Sequence, residues 1–424
     1  MQRLSQPPTV PGFVQDPYPF YDRARGAGPL FFWEDYGIPC AAGWAEVNAL
    51  LRDRRLGREQ PAEFRPPVPE HLAAFEAVEA HSMLEREPPA HTRLRGLVLR
   101  AFTSRRIAAL APEIAALAHD LIDAFPATGA AFDLLPAFAE RLPVIVIARL
   151  LGVPEARADD LLAWSHDMVA MYQARRSRAT EDAAARAAAD FSAFLGDHIA
   201  ARRAAPGDDL LTQLIAAEEA GDRLSTDELV STCILLLNAG HEATVHTIGN
   251  GVRAICESGF DPARLLAPGA IDATIEEILR FDPPLHLFTR FAYEDMELFG
   301  HEIARGEEIG LLLAAANRDP AVWTAPDRFD PARAVRPNAS FGAGLHFCVG
   351  APLARLELRA FLLQTQQPNQ APLCRALAIM ARLAPAMRCS QALQGLEGVL
   401  PMRLGRELIA QQDPTVGRRE RARR

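Results

Sequence analysis

A single ten-residue run, FGAGLHFCVG at positions 341–350, constrains this chain more than any other feature. It sets Cys348 between a glycine-rich turn and an apolar, arginine-bearing run, APLARLELRAF, that reads as a helix. Gly342, Gly344 and Gly350 allow dihedrals closed to other residues and let the backbone pass close to a large flat partner. A cysteine just ahead of a helix start meets exposed amide N–H groups and the positive end of the dipole, and both favour thiolate over thiol. The pattern frames Cys348 as a metal ligand. The alternative is a tight turn that holds an inert, buried cysteine.

On length alone, 424 residues would divide into two or three domains, but no Gly/Ser linker or charge run splits the middle. The expectation is one domain over residues 1–410 and a disordered, arginine-rich tail at 411–424. The formal charge of −9 argues against general nucleic-acid affinity. Cys40, Cys233, Cys256, Cys348, Cys374 and Cys389 lie far apart with no CxxC, a reduced intracellular pattern. The proline-rich N-terminus has no apolar signal core, and the most apolar run, ILLLNAG, is soon broken by Asn238, His241 and Glu242. It falls well short of the roughly 20 residues of a membrane span. A cytoplasmic protein without a membrane anchor is expected.

Apolar residues recur at helical spacing in RIAALAPEIAALAHDLIDAF, in ERLPVIVIARLLGV and around residues 182–201. Ser225 with Glu228 forms a capping box, and the pattern behind it runs from Leu229 past Ile255, long enough to cross the whole molecule. Strand-like text is short: FFWEDYGIPCAAG near the start, and MELFGHEIARGEEIGLLL with turn signals at Gly300 and Gly306. The fold class is mainly α with a minor β region. Residues 364–394 are glutamine-rich and fit no clear element.

Several constellations carry chemistry. Glu277 and Arg280 stand three apart on a helical pattern and share a face. His91 and Arg95, four apart in PPAHTRLRGLV, do the same. In AGHEAT, Ala239 and Gly240 leave room beside the helix, and Gly240 costs about 1 kcal/mol relative to alanine, so it wants a reason. Glu242 among apolar neighbours is costly unless it is paired or relays protons; a kinked helix with a satisfied carboxylate is the alternative.

The 341–350 run resembles the haem-ligand loop of the cytochrome P450 family. Phe341, Gly342, Gly344, His346, Cys348 and Gly350 all match, and six positions at about one in twenty each give roughly 10⁻⁸ by chance. The resemblance extends over about residues 17–357. It implies the mostly α haem-thiolate fold, with haem b between the central helix and the Cys348 loop. It further implies that Cys348 is the proximal ligand, that Phe341 packs beside the thiolate, and that His91, Arg95, Arg290 and His346 donate to the propionates. Burying two carboxylates without such donors would be prohibitive. The family's Glu-x-x-Arg pair corresponds to Glu277 and Arg280, with Arg328 of APDRF as the third, structural member.

The implied reaction inserts one oxygen atom from O₂ into an unactivated C–H bond, with two electrons from NAD(P)H through a ferredoxin and its reductase, or a flavodoxin-type carrier. Arg93, Arg100, Arg355 and Arg359 are expected on the face that meets the acidic carrier. Pocket walls are expected from residues 68–84 and 164–172, from Leu236 and Ala239, and from Leu285, His286, Leu287 and Phe288. One departure matters. The family usually has threonine directly after the acid, to support proton delivery, and this chain has Ala243 there with Thr244 next. One step turns a side chain about 100° round the helix, so Thr244 cannot simply substitute. A substrate hydroxyl or ordered waters would then complete the relay from Glu242, which favours an oxygenated, natural-product-like substrate. Two other readings stay open: a peroxide-driven or non-oxygenating haem enzyme, and a haem-binding protein without turnover.

Overall fold

The computed structural model describes all residues except 126–131, 173–175, 220–223, 266, 268 and 365–424. The tail at 411–424, Cys374, Cys389 and all of the glutamine-rich segment but its first residue lie outside the described residues.

The long helix read from the capping box is Thr226–Glu257, 32 residues or about 48 Å. Ser225 Oγ accepts from Glu228 N at 3.1 Å, and Glu228 Oε2 accepts from Ser225 N at 2.9 Å. Twenty of its residues are buried, on all sides, because other helices enclose it. Arg141–Leu150, Ala158–Val169, Arg178–Ala204 and Ile271–Phe281 all pack against it. Gly251 permits the closest of these approaches: a Cβ there would meet Ile278 at 2.9 Å. The run RIAALAPEIAALAHDLIDAF is two helices rather than one, Ser104–Ala109 and Ala111–Asp123. Pro112, with no N–H to give, sits in the first turn of the second.

The minor β region is a six-stranded mixed sheet in the order Gln2–Leu4, Phe31–Trp33, Ile38–Ala41, Glu308–Leu312, Leu287–Ala292, Leu56–Gly57. A hairpin, Met296–Leu298 with His301–Ile303, turns through Phe299 and Gly300, both at positive φ. Among the described residues no helix is long and apolar enough to cross a membrane.

Two residues expected in the pocket, His286 and Leu287, lie at the start of the strand Leu287–Ala292 and are engaged with the N-terminal part of the chain. Leu287 is 3% exposed and packs into the N-terminal core with Phe13, Tyr21 and Leu312. His286 is equally committed: Nδ1 lies 3.0 Å from the Tyr21 hydroxyl and Nε2 3.6 Å from Asp282 Oδ1. Both side chains face the N-terminal helices. Trp164 likewise packs on Phe191 and Phe194, with centroids 5.2 and 5.7 Å away.

Candidate active site

The Cys348 loop is closed by its own backbone. Cys348 N–H donates to the Phe341 carbonyl at 3.0 Å, and Gly342 N–H to Ala339 at 2.8 Å. Gly342 and Gly344 hold φ of +66° and +70°, and a Cβ on Gly344 would meet the Leu51 carbonyl at 2.5 Å. Gly350 differs from expectation. It has no positive φ, and a Cβ there would make ordinary contact, 3.8 Å from Cys348 Sγ. The helix Ala351–Gln364 follows. Burial raises the Cys348 thiol above its ordinary pKa, outweighing the Gly350 and Ala351 amides and the Arg95 and Arg355 guanidinium groups that favour thiolate. The helix start alone therefore does not make a thiolate here; a bound metal cation deprotonates a coordinating thiol outright.

Beside this loop the chain gathers cations. Arg95 Nη2 donates to the Phe347 carbonyl at 2.6 Å. The His91 and His346 rings lie 4.3 Å apart, and His346 Nε2 is 2.7 Å from Glu87 Oε1. His91 is 2% exposed, its Nδ1 makes no hydrogen bond among the described residues, and burial lowers its pKa to about 4. Arg290, also 2% exposed, donates to the Thr289 carbonyl at 2.8 Å; burial and Arg58 bring its pKa down to about 9. Phe288 sits at the same edge, within reach of Gly342 and 5.8 Å from the Arg58 guanidinium. A buried set of donors short of negative charge, next to a cysteine sulfur, fits a metal-bearing group with two carboxylates. Arg58, joined to Glu85 at 3.4 Å, and Glu87 were not foreseen, and no sequence spacing marks them.

The central helix presents Leu236, Ala239 and Ala243, three and four apart, as its more accessible face, with Ala239 exposed. Gly240 has another role than leaving room for a ligand: a Cβ would meet Ile147 Cδ1 at 3.1 Å, so it lets Arg141–Leu150 pack close. Thr244 is 4% exposed; its hydroxyl donates to the Gly240 carbonyl at 3.1 Å and lies beside Glu357. It is turned toward the helix after Cys348, as the 100° step predicts. Glu357 is 1% exposed, and burial raises its pKa to about 8, with Thr244 opposing. A carboxyl raised in the folded state stabilises below its unfolded pKa and loses that contribution as pH rises through about 8. Glu357→Gln is expected to flatten the fall in melting temperature between pH 5 and 8; a slope like wild type would refute a protonated Glu357.

Glu242 is ringed by histidines: His166 Nε2 at 3.2 Å, His246 Nε2 at 3.5 Å and His241 Nδ1 at 3.9 Å. Burial pushes the carboxyl up, but the hydrogen bond to His246 and the other two rings hold it below the usual range. His246, four residues on, could have been found by spacing; His166, on another helix, could not.

The structural pair is present with a different third partner. Arg280 Nε and Nη2 donate to Glu277 at 2.8 and 2.7 Å. Arg333, not Arg328, brings its guanidinium to Glu277, at 3.5 Å. Arg328 offers only its carbonyl, to Arg280 at 3.2 Å, and its own guanidinium lies over Phe260.

A family model described as "Cytochrome P450" matches residues 270–367. "Vitamin D(3) 25-hydroxylase" of Pseudonocardia autotrophica is 40% identical over 357 residues, 82% of this chain and 85% of that protein. The chain belongs to the cytochrome P450 family. "6-deoxyerythronolide B hydroxylase" of Saccharopolyspora erythraea is 37% identical to this P450 over 358 residues, 81% of this chain and 86% of the other. The crystal structure of P450BioI with hexadec-9Z-enoic acid ligated acyl carrier protein superposes with a TM-score of 0.79 at 33% identity, covering 85% of this chain and 93% of that one. This P450 is thus an oxidoreductase of the bacterial monooxygenase type, and the family's cofactor is a haem-thiolate.

Proposed function

We propose that this P450 hydroxylates an oxygenated, lipophilic, natural-product-like molecule of medium size. The balance is R–H, O₂, two electrons and two protons giving R–OH and water. The observation that carries the reading is Ala243: it lies on the accessible face of the central helix, next to the acid, while Thr244 is turned toward Glu357. No hydroxyl from this stretch stands between Glu242 and the pocket, so one from the substrate, or ordered water, completes the path. The names of two relatives, hydroxylases of vitamin D(3) and of 6-deoxyerythronolide B, support that class.

In this reading haem b, held by Cys348, supplies O₂ activation and C–H oxidation when bound. His91, Arg95, Arg290 and His346 neutralise and orient its carboxylates, and the Phe341 ring packs beside the sulfur. Glu242 holds and passes the proton, with His166 as its exposed contact to solvent. Leu236, Ala239, Ala243, Leu285 and Phe288 exclude water from the substrate. Electrons come from a ferredoxin and its reductase, or a flavodoxin-type carrier, in the cytoplasm. The receiving face is less basic than its arginines imply, because Arg93 pairs with Glu228, Arg355 with Glu276 and Arg359 with Asp272. Exposed Leu345 and Phe347 supply apolar contact there.

The test compares a substrate found by spin-state shift with its deoxy analogue. The analogue is expected to release several-fold more hydrogen peroxide per NAD(P)H consumed, and Ala243→Thr to restore coupling. Equal coupling for both compounds overturns the reading. The same alanine favours a second reading, a peroxide-driven or non-oxygenating reaction, which turnover without NAD(P)H and redox partners would establish.

A further inference from the structure

Two helices that flank the substrate side bring together a donor set with no part in haem binding. His166 comes from Ala158–Val169, and His241 and Glu242 from the central helix. One ligand atom from each lies within 4.8 Å of the other two. We propose that these three side chains bind a divalent cation of the zinc class, at a second metal site separate from Cys348.

The geometry is near what such an ion needs. Tetrahedral zinc with bonds of about 2.0–2.1 Å sets its ligand atoms roughly 3.4 Å apart. His166 Nε2 and Glu242 Oε1 are already 3.2 Å apart, and His241 Nδ1 is 3.9 Å from the same oxygen. Closing the remaining edge takes a side-chain movement of about 1 Å, well within rotamer adjustment. The donor set of two imidazoles, one carboxylate and an open fourth position is that of zinc sites that keep a water.

An independent observation points to a ligand. His241 is 0% exposed, yet neither of its ring nitrogens makes a hydrogen bond among the described residues. Leaving a buried imidazole unsatisfied on both sides costs about 1–3 kcal/mol per group, and native interiors rarely tolerate it. A cation on Nδ1 would satisfy the nitrogen that faces Glu242. His246 Nε2, 3.5 Å from Glu242 Oε2, holds the far side of the carboxylate, the usual arrangement behind a metal-bound carboxylate. Glu140, close enough to interact with Glu242 and His166, adds negative potential. The half-exposed ring of His166 gives the ion its way in.

A cation there would occupy the carboxylate assigned above to proton delivery. Binding would then raise peroxide release, a consequence that rests on the proposed role of Glu242, whereas the binding itself does not.

The experiment titrates zinc chloride into purified, haem-loaded full-length protein by calorimetry, with zinc-edge X-ray absorption on the one-to-one complex. One ion bound at micromolar or better affinity, a nitrogen and oxygen shell, affinity at least about 10-fold weaker in His166→Ala and unchanged in His119→Ala are expected. His166 is exposed, so its variant is expected to keep wild-type haem content and melting temperature. No binding at equimolar zinc, a sulfur shell, or equal affinity in His166→Ala overturns the site. Zinc bound as expected with peroxide release unchanged upholds the site and refutes the proton role of Glu242.

Discussion

Cys348→Ser is expected to abolish monooxygenation and the thiolate spectrum together while leaving the fold in place. Serine is nearly isosteric, and the loop's closure does not use the sulfur: Cys348 N–H donates to Phe341 at 3.0 Å, and the turn rests on Gly342 and Gly344 at positive φ. The melting temperature should therefore move little. What is lost is the electron-rich axial ligand that favours O–O cleavage. A hydroxyl cannot be ionised comparably, and activity is expected to fall on the order of 10³-fold or more, equivalent to about 4 kcal/mol of barrier. The ferrous–CO difference spectrum reads this directly: a strongly red-shifted Soret band in wild type, absent in the variant. No other described cysteine can substitute. Cys40, Cys233 and Cys256 are buried, with thiols pushed well up, to about 12 and about 11 for the last two. A variant that keeps the red-shifted band and turnover would show that Cys348 is not the ligand.

What could be read without coordinates was whatever a local segment decides. The Cys348 loop was legible because its glycines answer to backbone dihedrals and its cysteine to the next helix start. The central helix was legible from one capping box and a sustained period, and that Thr244 would not face where Ala243 does from a single 100° step. Failures came where a distant segment decides. Gly240 looked like space for a ligand, but which face it opens on depends on Ile147, nearly a hundred residues earlier. The sides that His286 and Leu287 turn to are set by Tyr21 and the N-terminal core, more than 260 residues away in sequence. The ring around Glu242 needed His166, 76 positions upstream on a helix whose own pattern gives no sign of it. At Cys348 the helix-start amides act with the expected sign, and desolvation, which no local text announces, opposes them.

Arg280→Ala is expected to be the most destabilising single change outside the haem loop. Its side chain, 2% exposed, makes two bonds to Glu277 and one each to the carbonyls of Asn317, Pro326 and Arg328, at 3.0, 2.9 and 3.2 Å. These acceptors tie the connection that leads into the Cys348 loop to the helix Ile271–Phe281. Glu277 in turn accepts from Asp330 N–H at 2.8 Å. Truncating Arg280 leaves the buried Glu277 carboxylate with only Asp330 N–H and the looser Arg333, and takes the guanidinium from the Asn317 and Pro326 carbonyls; breaking a buried pair usually costs about 3–5 kcal/mol. Against a total stability of about 5–15 kcal/mol this can be most of the fold. Lysine, a point charge without the bidentate fork, should recover only part. Arg333→Ala, which removes a looser contact to Glu277 at 3.5 Å and partly exposed bonds to the Thr324, Ala325 and Arg328 carbonyls, should cost about 1–2 kcal/mol. Arg328→Ala should be near neutral, because only its backbone serves the network. Urea midpoints of the four variants decide it. The order Arg280→Ala, Arg280→Lys, Arg333→Ala, Arg328→Ala supports this network, and a loss in Arg328→Ala larger than in Arg333→Ala would return the third place to Arg328.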